Sequence, residues 1–233
     1  MVQAHTIRKF DEELADLKSR VLSLGGLVER AIVNSMTSLL TQDAALAETT
    51  IEQDKAINAL EVQCDDLTRS ILVRRQPAAG DLRFIISTIK VVTDLERMGD
   101  LAAGICEGAL RLQQMPTQPK TNLGGMSELV QSQVAQALDA LSRGDIDLAM
   151  KVIEKDAAID EMYYASYREM LTYMLEDPPQ ISAYIILSNI AKNLERIGDH
   201  ATNICEMVIY IIRAHDIRHV DHEAAATLLR GED

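Results

Sequence analysis

The chain has 233 residues, 47% hydrophobic and 25% charged, a globular composition that excludes a disordered chain. A formal net charge of −13 disfavours DNA, RNA and anionic membrane surfaces, and favours basic partner proteins and metal cations. No run of about 18 apolar residues is present, so no transmembrane helix and no direct membrane insertion are expected; the opening MVQAHTIRKFDEEL lacks the apolar core of a signal peptide.

Apolar residues set the elements in chain order. Leu14, Leu17, Val21, Leu24 and Val28 are spaced 3, 4, 3, 4, and this predicts a first helix from about His5 to Leu40. Ile57, Leu60, Cys64, Leu67 and Ile71 repeat the spacing in a second helix, from about Asp43 to Arg74. Thr41-Gln42-Asp43 can cap its start, because a short oxygen side chain accepts from the unpaired first-turn amides. Pro77 and Gly80 separate it from a third helix, from about Asp81 to Gln114. MPTQPKTNLGG, residues 115–125, holds two Pro and two Gly without periodicity and reads as a linker. A fourth helix is expected from about Met126 to Arg143. A fifth runs from near Asp145 to just before Pro178-Pro179, and a sixth from about Ile181 to His215.

The two halves match. LERMGDLAAGICE, from Leu95, and LERIGDHATNICE, from Leu194, agree at nine of thirteen positions. IEQD at Ile51–Asp54 likewise falls on IEKD at Ile153–Asp156. The chain is therefore expected to be all-α, a tandem repeat of two three-helix bundles. The bundles would cover residues 1–114 and 126–218, with a C-terminal tail over 219–233.

The repeated phrase carries an energetic oddity. Glu96 and Asp100, like Glu195 and Asp199, stand four residues apart on one helical face, where like charges cost a few tenths of a kcal/mol. Glu96 also falls in the apolar row Ile85, Ile89, Val92, Gly99, Ala103 and Cys106, and Glu195 falls in the equivalent row. A carboxylate in such a seam is costly unless a positive charge answers it. Arg97 and Arg196 point about a hundred degrees away, so they would have to bend back. Asp54, Asn58, Glu61 and Asp65 line one face of the second helix, and Asp156 and Asp160 take the places of Asp54 and Asn58 in the fifth. Antiparallel packing would set each group against its own pair. Oxygen clusters of this kind suit divalent or trivalent cations such as Mg²⁺, Ca²⁺, Mn²⁺, Zn²⁺ or iron. The expected metal ligands are Asp54, Asn58, Glu61, Glu96, Asp100, Asp156, Asp160, Glu195 and Asp199.

Two rivals fit the same acids. One is a metal-free helical adaptor whose acidic face meets a basic partner. The other is a di-iron carboxylate enzyme, but that class uses Glu-x-x-His on facing helices, and neither half contains one. No P-loop, nucleophile elbow or dinucleotide fingerprint is present, so no catalytic residue is assigned. Cys64, Cys106 and Cys205 form no CxxC pair and read as buried thiols of a cytoplasmic protein. His215, His219 and His222, spaced 4 and 3, would share a face if the last helix continued.

The chain resembles the PhoU family of phosphate-transport regulators, from about His5 to Arg218. The family's E(D)-x-x-x-D motif stands here as ERMGD (Glu96–Asp100), ERIGD (Glu195–Asp199) and DAAID (Asp156–Asp160), with DKAIN (Asp54–Asn58) as an altered fourth copy. The resemblance implies two three-helix bundles bearing multinuclear metal clusters, often iron. It implies a cytoplasmic homodimer that restrains phosphate uptake and the phosphate-starvation response. The partners it implies are the phosphate ABC transporter, including its ATPase subunit, and a sensor histidine kinase.

Overall fold

A computed structural model describes residues 2–116, 118–120 and 123–217, and the tail expected over 219–233 lies outside them. Among the described residues six helices follow one another: α1 (Val2–Thr41), α2 (Ala44–Arg74), α3 (Ala79–Gln113), α4 (Leu123–Arg143), α5 (Ile146–Glu176) and α6 (Ile181–Arg213). A 3-10 turn, Pro178–Gln180, joins the last two.

The junctions repeat as the helices do. Asp43 Oδ1 accepts from the Leu46 amide at 3.0 Å, and Asp145 Oδ1 accepts from the Leu148 amide at 2.9 Å. The residue before each cap turns the chain in the left-handed region, Gly144 at φ 67° and Gln42 at φ 57°. Glycine adopts that conformation without a steric penalty, whereas glutamine does so at a cost of order 1 kcal/mol.

Four boundaries differ from the sequence expectation by two or more residues, the first being the start of α1 at Val2 and not His5. α4 begins at Leu123, so Gly124 and Gly125 lie in its first turn and the segment between α3 and α4 is shorter than 115–125. First-turn amides have no intrahelical partner in any case, and Leu123, 1% exposed, anchors the turn in the core. α3 starts two residues early, at Ala79, with no side-chain cap. α6 ends at Arg213, where Ala214 takes a left-handed φ of 58°. His215 therefore lies past the helix end, with its Nδ1 2.9 Å from the Arg213 carbonyl. His219 and His222 lie outside the described residues.

Each half is a three-helix bundle, and the two halves share one core. Leu95, Met98, Ala102 and Ile105 of α3 are fully buried, as are Leu194, Ile197, Ala201 and Ile204 of α6, the same positions in the repeat. α3 and α6 pack antiparallel along the junction between the halves, the most extensive helix pairing among the described residues. Gly108 permits the close approach: a methyl group there would stand 2.8 Å from Ile190 Cγ1. Farther along, His200 Nδ1 lies 2.8 Å from Asp94 Oδ1, which also accepts from Asn203 Nδ2 at 3.2 Å. The repeat partners of Asp94, His200 and Asn203 are Asn193, Leu101 and Gly104. This polar lock is therefore made once, not twice, and it gives His200 a role in holding the halves together.

Candidate metal centres

Helical spacing puts Glu96 and Asp100 on the face of α3 that meets α2, and Glu195 and Asp199 on the face of α6 that meets α5. Gly99 and Gly198 bring the facing acids in. A methyl group on Gly99 would lie 3.2 Å from Asp54 Oδ1 and 3.0 Å from Ile57 Cδ1. One on Gly198 would lie 3.6 Å from Asp156 Oδ1 and 3.3 Å from Ile159 Cδ1. The two contact sets are the same residues of the repeat, so the duplicated phrase folds into a duplicated site.

In the first centre, burial raises the Glu96 pKa, and the charges of Asp100, Glu61 and Asp54 raise it further. Asp54 is raised by burial and then by Asp100, against a hydrogen bond from Asn58 Nδ2 at 3.0 Å. Asp54, Asn58, Glu61, Glu96 and Asp100 thus face one another across α2 and α3, but among the described residues no three of their acids come within 4.8 Å of one another. Arg97 does bend back, but only to 3.6 Å from Glu96 Oε2, and its side chain is mostly exposed. Asp54 Oδ1 and Asn58 Oδ1 are buried without a hydrogen-bond partner.

In the second centre, carboxylate oxygens of Asp160, Glu195 and Asp199 lie within 4.8 Å of one another. Burial raises Asp199, and Glu195, Asp156 and Asp160 help push it up to about 6. Asp160 is raised by burial and then by Asp156 and Glu195. Glu195 is the buried charged residue of the protein's described part, 8% exposed, and its Oε2 has no partner.

Three residues of this centre carried no motif. Lys192 donates to Glu195 Oε1 in a short hydrogen bond and lies 5.2 Å from the centre of the Tyr163 ring. Tyr163 stands in the repeat position of Glu61. Gln133 of α4 donates to Asp156 Oδ1 at 3.0 Å and to Thr202 Oγ1 at 3.3 Å, while its own buried Oε1 has no partner. Lys192 was legible as Lys-x-x-Glu, the helical spacing of an ion pair. Gln133 was not, because its contact depends on how α4 packs against α5.

The second half gathers three carboxylates close enough to share a cation, whereas the first offers buried unpartnered oxygens of Asp54 and Asn58 without such a trio. Buried oxygens without donors are rare because desolvating them costs about 1–3 kcal/mol each, and a cation removes that cost. Oxygen-only donors suit hard cations. The cysteines take no part. Cys106 lies 4.0 Å from Ser38 Oγ, with its thiol pushed up to about 11 by burial, and burial likewise raises Cys205.

The sequence matches a family model described as the PhoU domain twice, over residues 21–109 and 123–208. A phosphate-specific transport system accessory protein PhoU homolog of Pseudomonas aeruginosa is 42% identical over 218 residues, 93% of this chain and 90% of the relative. The phosphate-specific transport system accessory protein PhoU of Escherichia coli K12 is 35% identical over 230 residues, 98% of this chain and 95% of the relative. The crystal structure of Pseudomonas aeruginosa PhoU superposes with a TM-score of 0.86 at 42% identity, covering 88% of this chain and all of that one. The phosphate transport system regulatory protein PhoU of Streptococcus pneumoniae superposes with a TM-score of 0.82 at 32% identity, covering 89% of this chain and 98% of that one.

Proposed function

This chain belongs to the PhoU family, and we propose that it is a non-enzymatic restraint on phosphate uptake and on the phosphate-starvation response, with a cation centre in each half. The di-iron enzyme alternative falls with the family, whose members here are named accessory and regulatory proteins. The observation that carries the metal reading is the pair of buried carboxylate oxygens without donors, Asp54 Oδ1 and Glu195 Oε2, one in each half of the repeat.

Asp54, Asn58, Glu61, Glu96 and Asp100 would hold the first cation or cluster, and Asp156, Asp160, Glu195 and Asp199 the second. Multinuclear iron is the family expectation, with Zn²⁺, Mn²⁺ or Mg²⁺ as alternatives. The bound metal would supply positive charge where burial leaves carboxylates facing one another. The residues then stay ionised, α2 stays closed on α3, and α5 on α6. A stiffened acidic face would present a fixed surface to the cytoplasmic parts of the phosphate transporter, its ATPase subunit among them, and of a sensor histidine kinase. No described helix is long and apolar enough to cross a membrane, and work in the cytoplasm as a homodimer belongs to this same proposal.

Elemental analysis of untagged, chelator-washed and reloaded protein tests the metal reading. Wild type should carry metal in both halves, Glu96→Ala/Asp100→Ala should lose one share, and Glu195→Ala/Asp199→Ala the other. Full metal content in both double variants would refute the ligand assignment. No metal in reloaded wild type would leave the acids to a basic protein partner. For the regulatory reading, cells lacking the chain should take up phosphate when phosphate is plentiful, and the intact chain should restore the restraint.

A further inference from the structure

The halves repeat their helices but not the charge inside their centres. Each centre is walled by four carboxylates: Asp54, Glu61, Glu96 and Asp100 in the first, Asp156, Asp160, Glu195 and Asp199 in the second. Among the described residues only the second carries an ammonium. Lys192 donates to Glu195 Oε1, and its repeat partner is Thr93, whose hydroxyl donates to the Ile89 carbonyl at 3.0 Å and carries no charge. The change from Glu61 to Tyr163 suits an ammonium as well. It removes one carboxylate from that position and supplies an aromatic face, against which Lys192 lies at 5.2 Å. A cation over a ring face is attracted by the ring's quadrupole.

Resting on the metal reading above, we infer that Lys192 is a tethered cation that occupies the second centre and competes with metal there, so that metal fills this centre only by displacing the lysine. The ammonium satisfies only part of the site. Glu195 is more than nine-tenths buried, and its Oε2 is left without a partner beside the Lys192-bound Oε1. Gln133, 3% exposed, likewise keeps an unpartnered Oε1 at the same place, 2.9 Å from where a Gly198 methyl would stand. A site with donors still missing is open to a better-fitting cation. Lys192 can leave: its side chain is 47% exposed and is a flexible four-carbon stem with a compact charge, so the head can swing to water. Displacing it forfeits a charge-assisted hydrogen bond and a ring contact, which weakens metal binding at the second centre by about tenfold to a hundredfold. The first centre has no such competitor inside it, since Arg97 touches Glu96 only at 3.6 Å from an exposed position. Filling of the second centre is thereby coupled to the release of a lysine, and filling of the first is not.

The experiment is Mn²⁺ binding to full-length, chelator-treated protein, followed by titration calorimetry and by the electron-spin signal of free Mn²⁺. Two backgrounds isolate the centres: Glu96→Ala/Asp100→Ala leaves the second, and Glu195→Ala/Asp199→Ala leaves the first. In the former, Lys192→Met, which keeps the stem and removes the charge, should tighten Mn²⁺ by about tenfold to a hundredfold. In the latter, Thr93→Lys should weaken Mn²⁺ severalfold by building the same competitor into the first centre. Circular dichroism confirms that each protein remains helical. If Mn²⁺ binds both backgrounds and Lys192→Met leaves the second centre unchanged or weaker, the tethered-cation inference is overturned while the metal reading stands. If Mn²⁺ binds none of the proteins, the metal reading fails and takes the inference with it.

Discussion

Asp199→Asn should flatten the pH dependence of stability in the metal-free protein, and the size of the change follows from the site. In the folded chain the Asp199 carboxyl titrates at about 6 instead of 3.8, because burial and then Glu195, Asp156 and Asp160 oppose its charge. Two pK units correspond to about 3 kcal/mol without screening. By surface area Asp199 is an exposed residue, so water screens the repulsion and about half that value survives. The sign is fixed by linkage. A folded-state pKa above the unfolded one means that the folded chain binds more protons, so the contribution is complete below pH ~4 and is lost as pH rises through ~6. Between pH 4.5 and 7.5 the loss from this group is ~1 kcal/mol. Burial also raises Glu96, Asp54 and Asp160 and adds to the slope, whereas Arg75, hydrogen-bonded to Glu13, lowers that carboxyl and opposes it. The difference between wild type and variant isolates Asp199. The assay is urea unfolding with chelator at pH 4.5, 5.5, 6.5 and 7.5. Equal slopes in wild type and Asp199→Asn, or a variant that is the more pH-sensitive of the two, would refute the reasoning.

Other perturbations follow from the same geometry. Saturating wild type with Mn²⁺ to a hundred times its dissociation constant should raise unfolding stability by about 2.7 kcal/mol per centre filled; an unchanged thermal midpoint would contradict folded-state binding. Gly198→Ala should destabilise by ~1 kcal/mol or more although alanine favours helix, because its methyl would meet Gln133 Oε1 at 2.9 Å and Gln133 is held by Asp156; a gain in calorimetric stability would count against that contact. Gln42→Gly should be neutral or stabilising by up to ~1 kcal/mol, whereas Gly144→Ala should cost about as much, since both positions turn left-handed and a Gly144 methyl would also press Ile212 Cδ1 at 3.2 Å; the opposite ordering of the two denaturation midpoints would overturn this. Asp94→Ala should cost roughly 1–2 kcal/mol through loss of the bonds to His200 and Asn203, and hydrogen exchange should show the loosening at the α3–α6 junction before either bundle opens.

The periodic apolar rows determined the six helices and their order, because burying a stripe every three or four residues stabilises a helix in almost any bundle. The repeat determined that one half's site would reappear in the other. It also exposed the carboxylates in the seam as an unpaid electrostatic cost, since identical positions kept the same acids. Only packing decided the rest. The α4 start at Leu123 depended on a buried anchor outweighing two glycines, a tertiary gain that local propensity does not contain. The fusion of the halves came from Gly108 lying against Ile190 and from Asp94 meeting His200 across α3 and α6. The difference between the two centres came from Gln133, Tyr163 and Lys192 converging from α4, α5 and α6. Spacing within one helix fixes which residues share a face. Which faces meet, and therefore which charges are answered, is set by how the helices pack.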